Sequence, residues 1–251
     1  MKRVAISTIV TLICAFTMAQ DENLVARHEA TKETNITSLK QQTEISEDNF
    51  ISNSSYNLMD DDRNSYDVVK IGNQIWMAEN LKTTTYNDGT KIPLVSDYKE
   101  WSNLNSPGYC WYRNDDGSYK AEYGALYNGF TVSTGKLCPS GWHVPSIEEW
   151  MILINYLGKK MAGGLLKEIG TEYWMSPNAG ATNTIGFTAL PGGSRGSYGT
   201  YFDEGLRGNW WSTSEHDKPK LWDISLTYFN SDATINSDNK KIGLSVRCVK
   251  D

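Results

Sequence analysis

The feature that most constrains this chain is the stretch at residues 186–215, GFTALPGGSRGSYGTYFDEGLRGNWWSTSE. It holds seven glycines and six aromatic residues and shows neither helical nor strand periodicity over most of its length. Glycine loses more backbone freedom on folding than any other residue, so such a run is costly to order. A folded protein retains it where the glycines set a specific loop path and the aromatics bury surface along that path. The expectation is a long irregular loop that returns into a sheet at Trp210 and Trp211, with the rest of the chain as its frame.

The chain opens with Lys2 and Arg3, then an apolar run at residues 4–18, with the small residues Thr17 and Ala19 before Gln20. That is the pattern of a secretory signal peptide over residues 1–19. The run is too short to span a bilayer and no second one follows, so the mature form is expected to lack a transmembrane segment. The protein is therefore expected to be secreted or held at the cell surface. Loss of Lys2 and Arg3 moves the formal charge from −6 to −8. Residues 20–65 carry ten acids against four bases, with Phe50 and Tyr56 as their only aromatics and Asp60-Asp61-Asp62 near their end. Such a composition buries too little apolar surface to offset chain entropy, which predicts a flexible polar spacer with room for one short helix at 24–40. No basic footprint for nucleic acid or anionic lipid exists. Residues 66–251 contain all nine tryptophans and suit one domain with its own core.

Within that domain, residues 66–81 read as two short strands around Gly72-Asn73. The run at 109–112 is strand-like, and Asn114-Asp115-Asp116-Gly117 after it reads as a polar turn. Those acids lack the twelve-residue spacing and terminal Glu of a calcium loop. Residues 119–132 are expected to lead into the core. Ser146 and Glu149 form a capping box that starts a helix, with Ile147, Trp150, Met151, Ile154 and Leu157 as its apolar stripe and Gly158 as its end. A second helix at 160–169 is expected to be interrupted by Gly163-Gly164. Strands follow at 208–214, 221–228 and 242–249, with 236–239 as the turn before the last. In that last strand Ile242, Leu244, Val246 and Cys248 alternate with Gly243, Ser245, Arg247 and Val249, a half-buried pattern.

Little in the chain has the spacing of a catalytic site. Gly192-Gly193-Ser194-Arg195-Gly196 matches G-x-S-x-G, which in a nucleophile elbow needs a strand before the serine and a helix after it. Here Pro191 precedes the motif and no helical pattern follows, although His216 and Asp203 could be enlisted as base and orienter. The three histidines, His28, His143 and His216, have no metal-ligand spacing, and no metal or cofactor is implied. Without the leader the chain keeps Cys110, Cys138 and Cys248, and an oxidising compartment favours one pair. Three pairings exist and periodicity does not choose between them. A Cys138–Cys248 bridge would staple the capped helix to the last strand, and it is the pairing expected here, with Cys110 unpaired.

Several long segments in fixed order resemble the Fibrobacter succinogenes major paralogous domain. They are IGNQIWMAENL from Ile71, YGALYN from Tyr123, LCPSGWHVPS from Leu137, GFTALPGG from Gly186, GNWWSTS from Gly208 and SVRCV from Ser245. The resemblance covers almost all of residues 67–251 and implies a bacterial, exported protein of a family largely without assigned biochemical function. It also implies an α+β, C-type-lectin-like fold, similar to that of formylglycine-generating enzymes, with short helices, a small antiparallel sheet and a long irregular loop. The Glu-Pro-Asn, Gln-Pro-Asp and Trp-Asn-Asp triplets of calcium-dependent lectin sites are absent, and residues 186–215 hold none of the copper-binding cysteines of those enzymes.

The expected function is a secreted, non-catalytic binding module for a glycan or a cell-surface partner. Its candidate contacts are Tyr198, Tyr201, Asp203, Glu204, Arg207, Asn209 and Trp211, with Trp210 assigned to the core. The rival expectations are a redox or hydrolytic site in the same loop and a structural surface component.

Overall fold

The computed structural model describes residues 58–251; the signal peptide, the spacer up to residue 57 and the helix at 24–40 lie outside the described residues. Strands β1 (Leu58–Met59) and β2 (Ser65–Tyr66) lead into β3 (Val68–Ile71) and β4 (Gln74–Met77). Next come α1 (Tyr98–Asn103), β5 (Tyr109–Cys110), a 3-10 turn (Tyr112–Asn114), α2 (Asp116–Tyr123), β6 (Leu126–Asn128), α3 (Gly129–Val132) and β7 (Trp142–His143). Helices α4 (Ile147–Leu157) and α5 (Ala162–Leu166) follow. The chain ends with β8 (Gly192–Arg195), β9 (Tyr201–Glu204), β10 (Arg207–Asp217), β11 (Lys220–Thr227), β12 (Thr234–Asn239), β13 (Gly243–Leu244) and β14 (Val249–Lys250). The fold is mixed, with few short helices and mostly open sheet.

One sheet runs β12-β11-β10-β8-β13-β6-β5, with β9 also paired to β8. A second runs β3-β4-β14-β7 and so ties the first strands of the domain to its last. The β3–β4 turn falls at Gly72-Asn73 as the sequence predicts, with Gly72 at φ +59°. Cys138 and Cys248 form the expected disulfide across a separation of 110 residues, and Cys110 is free and buried. The bridge joins the segment before α4 to the residue preceding β14.

The capping box is present as read. The Ser146 hydroxyl accepts from the Glu149 amide at 3.2 Å, and the Glu149 carboxylate accepts from the Ser146 amide at 2.8 Å. Ile147, Trp150, Leu153, Ile154 and Leu157 face the core, while Met151 is exposed, so the buried stripe differs from the expected one by a residue. Met151 instead lines a groove of 340 Å³ between α4 and β12, together with Ile154, Lys159 and Ile235. Trp76, Trp150 and Phe187 pack ring against ring beneath α4, with centroids 4.7 to 6.2 Å apart.

The structure corrects several expectations. The spacer ends at or before Leu58, because Leu58 is in the main core and residues 60–64 are tightly held. Asp60 accepts from the Asp62 and Asn64 amides at 2.9 Å and from the Tyr66 hydroxyl at 2.6 Å. Asp62 accepts from Thr84, Thr85 and Lys91. The acids that suggested disorder supply acceptors for a turn. Asp115 caps α2 through the Ser118 amide at 3.1 Å, so a helix follows where only a turn was expected. Gly163 and Gly164 do not interrupt α5. A Cβ there would lie 2.3 Å from the Asp232 and Gly180 carbonyl oxygens respectively, so glycine lets two chain segments meet. Residues 236–239 lie in β12 and pair with β11 rather than forming a turn. Most consequentially, residues 186–215 are not one irregular loop, since they contain β8, β9 and most of β10. The irregular path runs earlier, at 167–191.

Three buried cations each gather backbone carbonyls, and two of them, Lys167 and Arg247, hold that irregular path. The Lys167 ammonium donates to the carbonyls of Ala179, Thr227 and Asn230 at 2.8 to 3.0 Å, and burial lowers its pKa to about 8. The Arg247 guanidinium donates to the carbonyls of Met77, Phe187 and Thr188 and to Asn80, with the Phe187 ring 4.2 Å away. Arg195 does the same for a third set of carbonyls. Among the described residues none of the three has a carboxylate partner. Chain outside helices and strands leaves carbonyls without ladder partners, and a cation with several N–H groups satisfies three of them at once. Arg247 was expected on the exposed side of an alternating strand. Residues 243–249 are instead buried throughout, because the chain there passes between the two sheets.

Candidate functional site

The site is built on the β8–β9 hairpin. Ser194 pairs with Phe202 and Arg195 with Tyr201, and the turn between them closes through Gly196 N–H to Thr200 O at 2.8 Å. Gly193, at φ +64°, has no room for a side chain, since a Cβ there would lie 2.3 Å from the Phe202 carbonyl oxygen. The turn is pinned from below. Arg195, with no exposed surface, donates Nε to Gly199 O at 3.1 Å, Nη1 to Val95 O at 2.6 Å and Nη2 to Ser96 O at 2.9 Å. Its guanidinium carbon lies 4.5 Å from the Trp101 ring centre and 5.0 Å from that of Tyr201.

On this fixed turn three aromatic rings stand out into solvent. Tyr198 is 83% exposed and Phe202 50% exposed, and Tyr98, at the start of α1, is 57% exposed. Gly199 lies against Tyr98, for a Cβ there would be 2.8 Å from the Tyr98 Cα. The Phe202 ring lies over Gly196 in the same way. The three rings therefore gather at the hairpin tip.

From Tyr201 a row of five tyrosines leads away from the tip. Successive ring centres are 5.1 Å (Tyr201–Tyr112), 5.2 Å (Tyr112–Tyr119), 5.8 Å (Tyr119–Tyr123) and 6.1 Å (Tyr123–Tyr173) apart. The Tyr201 hydroxyl donates to Asn114 Oδ1 at 2.7 Å, and the Tyr173 hydroxyl to Glu122 at 3.1 Å. Glu204 sits within the row, 3.3 Å from Arg113 Nη2. Burial and the Glu204 charge push the Tyr123 hydroxyl up to about 12, and burial with the Glu204 hydrogen bond raises that of Tyr119. The row thus presents neutral hydroxyls beside two carboxylates, Glu204 and Glu122, and one guanidinium.

The seven sequence-predicted contacts divide between two places. Tyr198, Tyr201 and Glu204 belong to the hairpin face. Asp203 lies within β9, at φ +65°, with its carboxylate 3.8 Å from Arg207 Nε. Arg207, Asn209 and Trp211 lie on β10 and face β11. Two of these are corrections. Trp211 has no exposed surface and donates Nε1 to the Tyr127 carbonyl at 2.7 Å, so it is core rather than a stacking face. Asn209 is buried, accepting from the Ser225 hydroxyl at 2.7 Å, with its Nδ2 3.4 Å from the Gly193 carbonyl. Both fail as contacts because β10 is a central strand covered on both sides. Trp210 is core as expected, with its Nε1 donating to Asn80 Oδ1 at 2.8 Å. Tyr98, Phe202, Tyr112, Tyr119, Tyr123, Tyr173 and Arg113 join the site without having been singled out.

On the β10–β12 face, Asp223 is 1% exposed and stands opposite Trp211 and Asn236. Burial, then the nearby Asp238 charge, push its carboxyl up to about 7. No group of three or more His, Cys, Asp or Glu side chains converges among the described residues.

The G-x-S-x-G serine, Ser194, lies in β8, and the chain turns back into β9 rather than into a helix. His216 packs its ring 4.3 Å from that of Trp222, with Nδ1 3.2 Å from Asp217. Cys110 lies beside Arg195 and Tyr201, but burial outweighs the guanidinium and raises its thiol to about 11.

No curated protein and no solved structure matches the chain. Residues 69–250 match the Fibrobacter succinogenes major domain, which covers both sheets, the disulfide and the tyrosine-bearing hairpin. The chain belongs to the Fibrobacter succinogenes major domain family.

Proposed function

We propose that this chain is an exported, non-catalytic binding module that recognises a glycan or a cell-surface protein through the tip and outer face of the β8–β9 hairpin. The observation that carries the reading is the exposed trio Tyr98, Tyr198 and Phe202 on a turn anchored by a buried arginine. Single exposed aromatics are ordinary, whereas rings gathered on one rigid feature form a surface that gains by being covered. Each ring stacked on a ligand contributes on the order of 1 kcal/mol beyond its area. A turn that is already fixed loses little freedom on binding. The tyrosine row with Glu204 and Arg113 begins at Tyr201, on the side of β9 away from Phe202, and adds polar groups next to the tip that orient a hydroxylated or peptidic ligand.

Export is supported by the pattern at residues 1–19 and by the Cys138–Cys248 disulfide, a bond that persists in oxidising compartments. A C-type-lectin-like fold is supported by the short helices, the sheet that joins first and last strands, and the irregular path at 167–191. A non-catalytic role is supported by the protonated, enclosed thiol of Cys110 and by Ser194 lying in a hairpin. A glycan array probed with the purified chain, alongside binding to host cell surfaces, tests the reading. Saturable binding to either is expected, and absence of binding to both refutes it.

A further inference from the structure

Away from the hairpin, the face shared by β10, β11 and β12 holds two carboxylates with no cation to answer them. The strand register puts Asp223 opposite Asn236 and Asp238 opposite Leu221, so the two acids occupy neighbouring rungs of one face. Diagonal neighbours of this kind lie within side-chain reach of each other. Asp223 is 1% exposed, and its Oδ1 has no hydrogen-bond partner. A buried, unpartnered carboxylate oxygen is among the costliest groups a protein can hold.

The groups around it do not relieve that cost. Asn236 and Arg207 favour the charged form of Asp223 only weakly, and Lys220 and Arg207 that of Asp238, so burial still raises both carboxyls. Among the described residues neither cation forms an ion pair with either acid, and Arg207 leans instead towards Asp203 at 3.8 Å. Ser225, the next residue on this face, is already engaged with Asn209. Asp238 is half-buried, so the pair is reached from solvent on its side alone.

We infer that Asp223 and Asp238 form a binding site for an oxygen-ligated divalent cation of the calcium class. Two carboxylates match its charge, and with the Asn236 side chain opposite Asp223 they offer oxygen ligands, which suits a hard cation over a soft one. Asn236 supplies the nearest neutral oxygen, and water on the Asp238 side completes the shell. Such an ion would cross-link β11 to β12, the outermost strand of the larger sheet.

Terbium luminescence tests this in the full chain, because Trp222 adjoins Asp223 in sequence and Trp211 stands opposite it as sensitisers. After treatment with a chelator, terbium titration with tryptophan excitation should give saturable emission that calcium displaces and magnesium displaces less well. Asp223→Asn and Asp238→Asn should each weaken terbium and calcium by about tenfold or more. Glu100→Gln, an exposed acid on α1, should leave both unchanged. Should Asp223→Asn fail to fold, the half-buried Asp238→Asn decides alone, with its unfolding midpoint in chelator as the control. Absence of saturable emission, or an unchanged affinity in a folded Asp238→Asn, overturns the site. Neither outcome bears on hairpin binding, which uses a different face.

Discussion

Arg195 is the residue on which the geometry of the proposed binding face rests, and Arg195→Met tests that dependence. Methionine keeps most of the apolar stem while removing every donor. The substitution leaves the carbonyls of Val95 and Gly199 without their partners, while the Ser96 carbonyl keeps the Asn114 side-chain amide at 2.9 Å. Each orphaned buried acceptor costs about 1–3 kcal/mol, so two cost roughly 2–6 kcal/mol. Loss of the contacts with Trp101 and Tyr201 adds about 0.5–2 kcal/mol each. Against this, a charge buried without a counter-ion is no longer desolvated, which returns several kcal/mol. These opposing contributions leave an expected net loss of about 2–4 kcal/mol. Arg195→Lys should recover only part of it, because an ammonium cannot span three carbonyls in a planar fork.

Urea unfolding gives the magnitude, and amide exchange gives the location. The amides of Gly196 and Gly199, which close the hairpin turn, should exchange much faster in Arg195→Met while those of α4 remain protected. A loss under about 1 kcal/mol, with unaltered exchange at Gly196 and Gly199, would show that the hairpin holds its shape without the arginine.

Three further outcomes follow from other parts of the fold. Ser146→Ala should cost about 1 kcal/mol by orphaning the Glu149 amide, and an unchanged urea midpoint would show that the hydroxyl is not the cap. Non-reducing peptide mapping should find Cys138 joined to Cys248 and Cys110 free. Reduction should cost up to about 4.7 kcal/mol for a loop on the order of 100 residues, and any Cys110-linked peptide would contradict the pairing. His143 lies between Asp251 at 2.6 Å and Glu149 at 2.9 Å. Burial pulls its pKa down, but the two carboxylates outweigh that and raise it. Its stabilising contribution is therefore complete below the ordinary histidine value of about 6.5 and is lost as pH rises through the higher folded value. His143→Gln should remove that part of the decline in unfolding midpoint that sets in as pH rises above about 6.5, and an identical decline in both proteins would refute the assignment.

The parts of this fold that were legible in the sequence are those governed by local chemistry. The capping box at Ser146, the turn at Gly72-Asn73 and the strands at β10 and β11 each follow from residues close together in the chain. The Cys138–Cys248 bridge was legible as one of three pairings, and only the fold placed its two ends 6.0 Å apart at Cα. What periodicity missed was set by distant partners. Arg247 occupies a position that alternation assigns to solvent, yet carbonyls from residues far away in sequence surround it. Trp211 and Asn209 looked like contacts because a glycine-rich neighbourhood suggests an open loop, but pairing with β11 and β8 encloses them. Gly193 and Gly199 allow close strand and turn approaches rather than disorder. The tyrosine row could not be foreseen, since Tyr112, Tyr173 and Tyr201 meet only in the folded chain. Tyr201 and Glu204 lie together on β9 and Tyr198 in the turn before it, so these three expected contacts are near one another in the chain and in the fold.

The central claim is that the exposed rings of the hairpin tip carry binding, and a paired titration tests it most directly. The ligand is the strongest-binding glycan or surface protein from the array and cell-binding experiments. The chain and its Tyr198→Ala, Phe202→Ala double variant are titrated against it at equal ionic strength. Tyr198 is exposed and Phe202 half-covered by the hairpin, so the variant should lose no more than about 1–2 kcal/mol and stay folded. Loss of two stacking rings should weaken binding by about tenfold or more. Equal affinity of the two folded proteins would contradict the account and place recognition elsewhere on the molecule.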